Sequence, residues 1–100
     1  MKSIYVIVNE NNNSFKIGCS KNPQKRIKQL QTGNSDVLTL FYERSTNYYS
    51  KIERLLHIDY QNYRLEGEWF DISCLSFLDI DDRISKYDKM FFNIKDNLYI

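Results

Sequence analysis

The sequence of 100 residues has no alanine, one proline, three glycines and two cysteines. Its longest apolar runs are about five residues, whereas a membrane-spanning helix needs about 20, so we predict no membrane partner. The start, MKSIYVIVNE, has one Lys and an acid by position 10, unlike a secretory signal peptide. Cys19 and Cys74 are too few for a disulfide framework. We therefore expect a protein of the reducing cytoplasm.

The overall composition indicates one small domain. Lys and Arg number 14 against 13 Asp and Glu, which excludes a histone-like polycation and an acidic disordered tail. An apolar content of 42% in this length is enough for one hydrophobic core. The abundance of Ile and Asn beside the missing alanine indicates an AT-rich genome, such as that of a virus, a phage or a low-GC bacterium.

The charges are segregated along the chain. Residues 14–35 carry five cations and no acid, and residues 66–88 carry seven acids against two cations. This segregation predicts a polar binding face, with a uniformly solvated surface as the alternative. Lys21, Lys25 and Lys28 of the basic segment are the residues we expect to bind nucleic acid.

The first residues predict a β-hairpin. Residues 3–8 and 14–19 are rich in β-branched and aromatic residues, and a polar turn separates them. Pairing Asn9 with Ser14 puts an entirely apolar set on one face, and leaves Tyr5 and Lys16 on the other. A one-residue slip would mix the two faces, so this register is favoured.

The rest of the chain predicts helices around this hairpin. Asn22 and Pro23 begin a short helix that ends at Gly33. From Val37 to Glu43, apolar residues alternate with polar or aromatic ones, which predicts a third strand. Thr46 or Asn47 caps a longer helix to about Asn62. Residues 68–72 form a short strand, and Ser73 caps a last helix to about Tyr87, while the tail from Met90 to Ile100 is ambiguous. The fold class is therefore α+β, with a small antiparallel sheet of three main strands flanked by helices and an extra C-terminal helix.

Four side chains of these elements converge on one place. The hairpin face, the short helix and the edge of the long helix bring Tyr5, Lys16, Arg26 and Glu53 together. They offer a phenol or amine to activate a nucleophile, a cation for a phosphate and a carboxylate for a metal. Phosphodiester hydrolysis needs these parts.

Ordered motifs carry a resemblance to a known superfamily. They are Ser3-Ile4-Tyr5, then Lys16-Ile17-Gly18 within Phe15–Arg26, Leu30–Asn34, Ile52–His57 and Gly67–Phe70. With them the sequence resembles the GIY-YIG nucleases, in the branch of the phage T5 open-reading-frame 172 domain and the meiotically up-regulated gene 113 domain. The resemblance covers about residues 3–72, so we expect a nuclease domain over residues 1–72 and a helical extension over residues 73–100, packed on the same domain.

The resemblance implies a role for each matched residue. Tyr5 and Lys16 would lie at the nucleophile side, Arg26 on the scissile phosphate, and Glu53 on the metal. Lys16 replaces the tyrosine of most members, as in some restriction-type members, and Ser3 replaces a glycine. Arg26 and a bound metal beside Lys16 would favour its neutral amine, which suits activation of water.

Each of these residues also has a simpler interpretation. Tyr5 alone is an ordinary strand residue, and Glu53 alone is a helix-face carboxylate. His57, four residues after Glu53, either assists catalysis or is structural. Trp69 and Phe70 are expected in the core rather than as stacking platforms for bases.

We expect a metal-dependent endonuclease that hydrolyses double-stranded DNA and holds Mg²⁺ or Mn²⁺ on Glu53. The alternative is a catalytically lapsed module that binds nucleic acid or protein and keeps the fold. The sequence leaves open whether the substrate is DNA or RNA. It also leaves open whether the protein forms a homodimer or binds a targeting partner.

Overall fold

The structure is a computed structural model that describes residues 1–96. The strands are β1 (Lys2–Asn9), β2 (Ser14–Ser20), β3 (Leu38–Thr46) and β4 (Trp69–Asp71), and the helices are α1 (Pro23–Thr32), α2 (Tyr49–Asp59) and α3 (Phe77–Asp96). The strands form one antiparallel sheet in the order β3-β1-β2-β4. The predicted fold class is confirmed, with the short β4 added at the edge of the three main strands.

The predicted register of the hairpin is confirmed residue by residue. Asn9 pairs with Ser14, and Tyr5 pairs with Gly18. Asn13, in the turn, has a positive φ of 51°, a conformation that asparagine tolerates better than most residues. The alternation of the strand side chains therefore sets which residues face each side of the sheet.

The sheet has a different hydrophobic cluster on each face. The larger one holds Ile4, Val6 and Ile17 with residues of α2 and α3, and the smaller one holds Tyr5, Ile7 and Leu38 under α1. The larger cluster comprises Ile4, Val6, Val8, Phe15, Ile17, Tyr42, Ile52, Leu56, Tyr60, Phe70, Ile80 and Ile84. Because α1 covers one face while α2 and α3 cover the other, the sheet is buried on both sides.

The third strand is longer than predicted and contains a bulge. It extends to Thr46 instead of Glu43, and its register against β1 shifts between Val6 and Ile7. The shift inserts one residue at Phe41, so Leu40 packs with the smaller cluster while Tyr42 enters the larger one. A strict alternation would have put both residues on one face.

Helix α1 begins and ends as the sequence predicts. The side chain of Asn22 accepts a hydrogen bond from the backbone N–H of Lys25 at 3.1 Å, Pro23 occupies the first turn, and Gly33 follows the last residue. Ile27 and Leu30 pack against the smaller cluster. This packing fixes the helix across the face that carries Tyr5 and Lys16.

Helix α2 differs from the prediction at both ends. It begins at Tyr49 and ends at Asp59, three residues before the predicted end, and a 3₁₀ turn over Gln61–Tyr63 follows. Its preceding residue, Tyr48, makes no side-chain cap, although the Thr46 hydroxyl accepts a hydrogen bond from the Tyr48 N–H at 3.1 Å. Thr46 thus binds the residue that precedes the helix, but it does not itself cap the first turn.

Helix α3 begins at Phe77 and not after Ser73. Residues 72–74 form a 3₁₀ turn capped by Asp71, and the hydroxyl of Ser76 accepts a hydrogen bond from the Asp79 N–H at 3.2 Å. Ser76 and Asp79 have the spacing of a capping box, which locates the helix start. The helix continues past Tyr87 to Asp96, and the rest of the ambiguous tail lies outside the described residues.

The C-terminal helix shares the core of the preceding elements. Ile80 and Ile84 are fully buried in the same cluster as Ile4 and Ile52. The division at residue 72 stays a prediction. None of the helices in the described part of the chain has the length and apolarity that crossing a membrane requires.

Candidate functional site

A cleft of about 410 Å³ opens where the pairing of β2 with β4 stops. Strand β4 pairs only with Ser14 to Lys16, so the last residues of β2 lie at an unpaired edge of the sheet. Around this edge, side chains from both faces of the sheet reach one space. The cleft walls are Lys2, Tyr5, Lys16, Gly18, Cys19, Arg26, Tyr49, Ser50, Glu53 and Glu68.

The structure brings four of the predicted site residues together in this cleft. Tyr5 and Lys16 come from the face under α1, Arg26 from the first turns of α1, and Glu53 from the middle of α2. Three different elements and 48 positions of sequence separate Tyr5 from Glu53. Their roles stay predictions, but their shared location is the arrangement that the sequence predicts.

Gly18 is required by the ring of Tyr5, which lies across it. A Cβ atom on Gly18 would lie 2.4 Å from the Tyr5 hydroxyl oxygen and 2.5 Å from Cζ, closer than real atoms approach. Tyr5 is only 2% exposed, and no protein group within residues 1–96 hydrogen-bonds its hydroxyl. Since Tyr5 lines the cleft, that hydroxyl is available to a ligand or water there.

The carboxylate of Glu53 lies between two neighbours, of which Cys19 hydrogen-bonds it. The Cys19 thiol donates a hydrogen bond to Oε2 of Glu53 at 2.9 Å, and Nε2 of His57 lies 3.8 Å from Oε1. Burial of Cys19, together with its hydrogen bond to this carboxylate, raises the pKa of the thiol well above its ordinary range. The thiol is therefore a neutral donor that orients Glu53, with 30% of the Glu53 side chain left exposed.

His57 lies beside the cleft rather than in it. Its Nε2 donates a hydrogen bond to the backbone carbonyl of Ile17 at 3.0 Å, and its ring stands edge-on to Phe70. It lines a neighbouring cavity together with Glu53 and Glu68. This geometry ties α2 to the unpaired part of β2, and the role of His57 stays a prediction.

Lys16 is paired with a residue to which the sequence analysis assigned no role. Its amine donates a short hydrogen bond to the carboxylate of Glu68, which also lines the cleft. The hydrogen bond and charge of Lys16 lower the pKa of Glu68 below its ordinary value. Lys16 therefore reaches the cleft already hydrogen-bonded to a carboxylate, and action as a base would require this contact to open first.

Apart from Lys16, the cations of the basic segment form no ion pair within residues 1–96. Arg26 is exposed, and its side chain donates a hydrogen bond to Gln29 at 3.4 Å, while its charge also helps to lower the pKa of Glu68. Lys21, Lys25 and Lys28 are exposed outside the cleft walls. Charges that have no internal partner remain available to an anionic ligand.

In contrast, most carboxylates of the acidic segment (residues 66–88) form hydrogen bonds or ion pairs within the protein. Asp79 accepts from Arg83 and Tyr60, and Asp81 accepts from Arg44 and Tyr42. These contacts connect α3 to β3 and α2. The two charged segments therefore differ in the structure. The carboxylates connect elements of the fold, whereas the unpaired cations are exposed on the surface.

Several cleft residues were not predicted from the sequence. Lys2 adds a third cation, and its amine lies 5.3 Å from the centre of the Tyr49 ring. Cys19 was considered only in relation to disulfides, and Glu68 was recognised as part of a motif without a role. The contact of Glu68 with Lys16 could have been predicted from its position. Glu68 directly precedes Trp69, which is the cross-strand partner of Lys16.

The residues present fit a divalent cation held through one carboxylate. Among residues 1–96 no group of three or more His, Cys, Asp and Glu side chains converges as a metal site. Mg²⁺ is commonly bound by one or two carboxylates, with water and phosphate oxygens in its other positions. Glu53, partly exposed in an open cleft, meets this requirement.

Comparison with known proteins identifies the family. Neither a curated protein nor a solved structure matches the chain significantly. A family model described as the T5orf172 domain matches residues 2–88, past residue 72 and into α3. This family indicates a nuclease-like module that binds nucleic acid. The chain belongs to the T5orf172 domain family.

Proposed function

We propose that this protein is a metal-dependent endonuclease that hydrolyses phosphodiester bonds in DNA. The observation that carries the proposal is the cleft at the unpaired edge of β2, which joins Tyr5, Lys16, Arg26 and Glu53. Its walls carry three cations and two carboxylates, so a phosphate group finds net positive charge there while one carboxylate remains for a metal.

Arg26 is the residue we assign to the scissile phosphate. It is the cation of the cleft that lacks both a carboxylate and an aromatic partner within residues 1–96, whereas Lys16 is paired and Lys2 lies over Tyr49. A guanidinium binds two phosphate oxygens at once and stays charged at any working pH. It can therefore stabilise the charge that builds up as the phosphate is attacked.

Tyr5 and Lys16 are the residues we assign to the attacking water. The hydroxyl of Tyr5 has no protein partner in the described chain and can hydrogen-bond a water in the cleft. Lys16 would act by exchanging its contact with Glu68 for one with water or phosphate. A divalent cation on Glu53, Mg²⁺ or Mn²⁺, would supply positive charge beside the leaving oxygen.

The second candidate function is a binding module without catalysis. The Lys16–Glu68 ion pair favours it, because an amine held by a carboxylate is a poor base. Such a module would bind nucleic acid through Arg26 and the exposed lysines of α1 and cut nothing.

A plasmid-nicking assay distinguishes the two functions. The endonuclease converts supercoiled plasmid to nicked or linear forms with Mg²⁺ or Mn²⁺ and leaves it intact in EDTA. DNA binding with no cleavage under either cation contradicts the endonuclease and supports the binding module.

The variant Lys16→Met refines the assignment. It keeps much of the packing of a side chain that is 8% exposed and removes the amine, so cleavage should be lost while the fold survives. Lys89→Met, at an exposed position of α3 outside the cleft, is the matched control. Normal cleavage by Lys16→Met would leave the activation of water to Tyr5 alone.

A further inference from the structure

A second cavity, of about 330 Å³, lies on the same face of the sheet as the cleft. It is bounded by the hairpin turn, the chain after α1 and the segment before β4. Its walls are Asn9, Asn12, Ser14, Asn34, Leu65, Glu66 and Trp69. This volume lies at the lower end of the range of small-molecule sites, about 300–1,000 Å³.

Strand β2 connects the two cavities. Gly18 and Lys16 line the cleft, and Ser14, on the same face of the strand, lines the second cavity. Alternate residues of a strand lie about 7 Å apart. If a nucleic-acid strand runs along β2, the second cavity therefore begins about one nucleotide away from Lys16.

The walls of the second cavity suit a neutral ring and not a phosphate. They carry no cation, in contrast to the three of the cleft, and they include the exposed carboxylate of Glu66. A carboxylate repels phosphate but accepts hydrogen bonds from the amino groups of bases. Trp69, which is only partly buried, adds an aromatic wall, whereas its neighbour Phe70 is fully buried in the core.

Polar groups that lack protein partners open into this cavity. Ser14 is 3% exposed, and none of the side-chain hydrogen bonds within residues 1–96 involves its hydroxyl. Since no fully buried side-chain polar atom of these residues lacks a partner, the hydroxyl oxygen keeps access to solvent. The side-chain amide of Asn12 likewise has no protein partner in the described chain, whereas the amide of Asn9 is occupied by Asp36 and the Asn12 N–H. The Ser14 hydroxyl is therefore a polar group that a ligand in the cavity can reach and hydrogen-bond.

We propose that this cavity binds one unpaired nucleobase of the nucleotide next to the phosphate held in the cleft, an inference that rests on the proposed function. Trp69 would contact the base through its ring, and Ser14, Asn12 and Glu66 would hydrogen-bond the base edge. A pocket of this size admits a single base that has left its stack, and not a base pair. The preferred DNA would then carry a flap, a bulge or a single-stranded end beside the cut.

The test compares two DNA duplexes in EDTA, where binding is measured without cleavage. One carries a single unpaired nucleotide, and the other carries an abasic residue at the same position. The intact base should tighten binding by at least about five-fold, as base–aromatic contacts do. It should also change the fluorescence of Trp69, the only tryptophan of the chain, more than the abasic DNA does.

Two variants and a control locate the effect. Ser14→Ala and Asn12→Ala should each reduce the preference for the intact base by about two- to five-fold, the scale of one lost hydrogen bond. Asn12 lies in the exposed turn, so its variant will fold even if Ser14→Ala does not. Asn13→Gly, in the same turn but outside the cavity wall and compatible with its positive φ, should leave the preference unchanged.

The outcomes separate this inference from the proposed function. Equal binding of the two duplexes, with equal fluorescence, overturns the nucleobase pocket, whatever the plasmid assay shows. A preference for the intact base that Asn12→Ala does not reduce also overturns it. A preference that the variants do reduce supports the pocket, and a plasmid that stays intact would then refute cleavage alone.

Discussion

The amine of Lys16, on the second strand of the sheet, donates a hydrogen bond to the carboxylate of Glu68, just before the fourth strand. Lys16 is nearly buried, whereas 62% of the Glu68 side chain is exposed. Both residues line the cleft, so Lys16 meets a ligand there as a member of an ion pair. This pair makes the stability of the protein depend on pH in a defined direction.

We predict that Glu68→Gln destabilises the protein near neutral pH and has no effect in acid. The pKa of Glu68 is lowered below its ordinary value of 4.5, so the pair stabilises the fold above that value and loses its effect as the pH falls through the lowered pKa. Because Glu68 is largely exposed, the loss should stay below about 1 kcal/mol. Urea denaturation at several pH values measures it.

The control for this prediction is Glu66→Gln, which removes the same charge from an exposed residue without an ion pair in the described chain. It should leave the pH profile of stability unchanged. An equal effect of the two variants would mean that the Lys16–Glu68 pair contributes nothing specific.

The contact of Tyr5 with Gly18 predicts a steric effect. Gly18→Ala would place a Cβ atom 2.4 Å from the Tyr5 hydroxyl oxygen, so the ring or the strand must move. We expect a loss of about 1–3 kcal/mol in the free energy of unfolding, typical of overpacking. In a Tyr5→Ala background the same substitution should cost much less, since the obstructing ring is absent. A double-mutant cycle by chemical denaturation measures the coupling, and additive effects would contradict the contact.

Cys19 should be slow to react with thiol reagents, and Glu53→Gln should speed its reaction. Burial, the hydrogen bond to Glu53 and the charge of Glu53 all raise the pKa of this thiol. The variant removes the charge and leaves a neutral amide oxygen as a weaker acceptor. Alkylation followed by mass spectrometry gives the rate at each cysteine. Cys74, whose pKa is raised chiefly by burial, serves as the internal control. A Cys19 rate that does not change relative to Cys74 would contradict the Cys19–Glu53 contact.

The exposed lysines of the basic segment should contribute to DNA affinity through phosphate charge. Each phosphate neutralised contributes about −0.9 to the slope of log affinity against log salt on duplex DNA. Replacing Lys21, Lys25 and Lys28 by Gln should therefore flatten that slope by up to about three units. Fluorescence anisotropy across a salt series measures it.

A second triple variant controls for the change in net charge. Replacing Lys51, Lys86 and Lys89 by Gln removes as many cations from α2 and α3. That variant should keep the original slope. If both variants flatten it alike, the binding surface is not the one that the basic segment forms.

The hairpin and its register could be predicted because they depend on local patterns. A register slipped by one residue would no longer put Ile4, Val6 and Ile17 on the same face, and the burial of that face favours the observed pairing. Asn22 and Pro23 likewise specify the start of α1 from adjacent residues. The shared location of Tyr5 and Glu53 followed from these elements and from the family motifs.

The features that were missed depend on contacts distant in sequence. The bulge at Phe41 changes which residues of β3 face each cluster, and a period-2 pattern does not show it. The pairing of Glu68 with Lys16 spans 52 positions and exists only because β4 adds to the edge of β2. The start of α3 was predictable from Ser76 and Asp79, but Ser73 offered a competing cap.

The most direct test of the central claim is plasmid cleavage by Glu53→Gln in Mg²⁺. The variant keeps the shape of the side chain and removes the charge that a metal requires, so the fold should hold and cleavage should fall by about three orders of magnitude or more. DNA binding in EDTA should survive or tighten, because one negative charge facing the phosphates is gone. Glu10→Gln, in the exposed hairpin turn, should cut like the parent. If Glu53→Gln cleaves the plasmid as fast as the parent does, the cleft around Glu53 is not the site of phosphodiester hydrolysis.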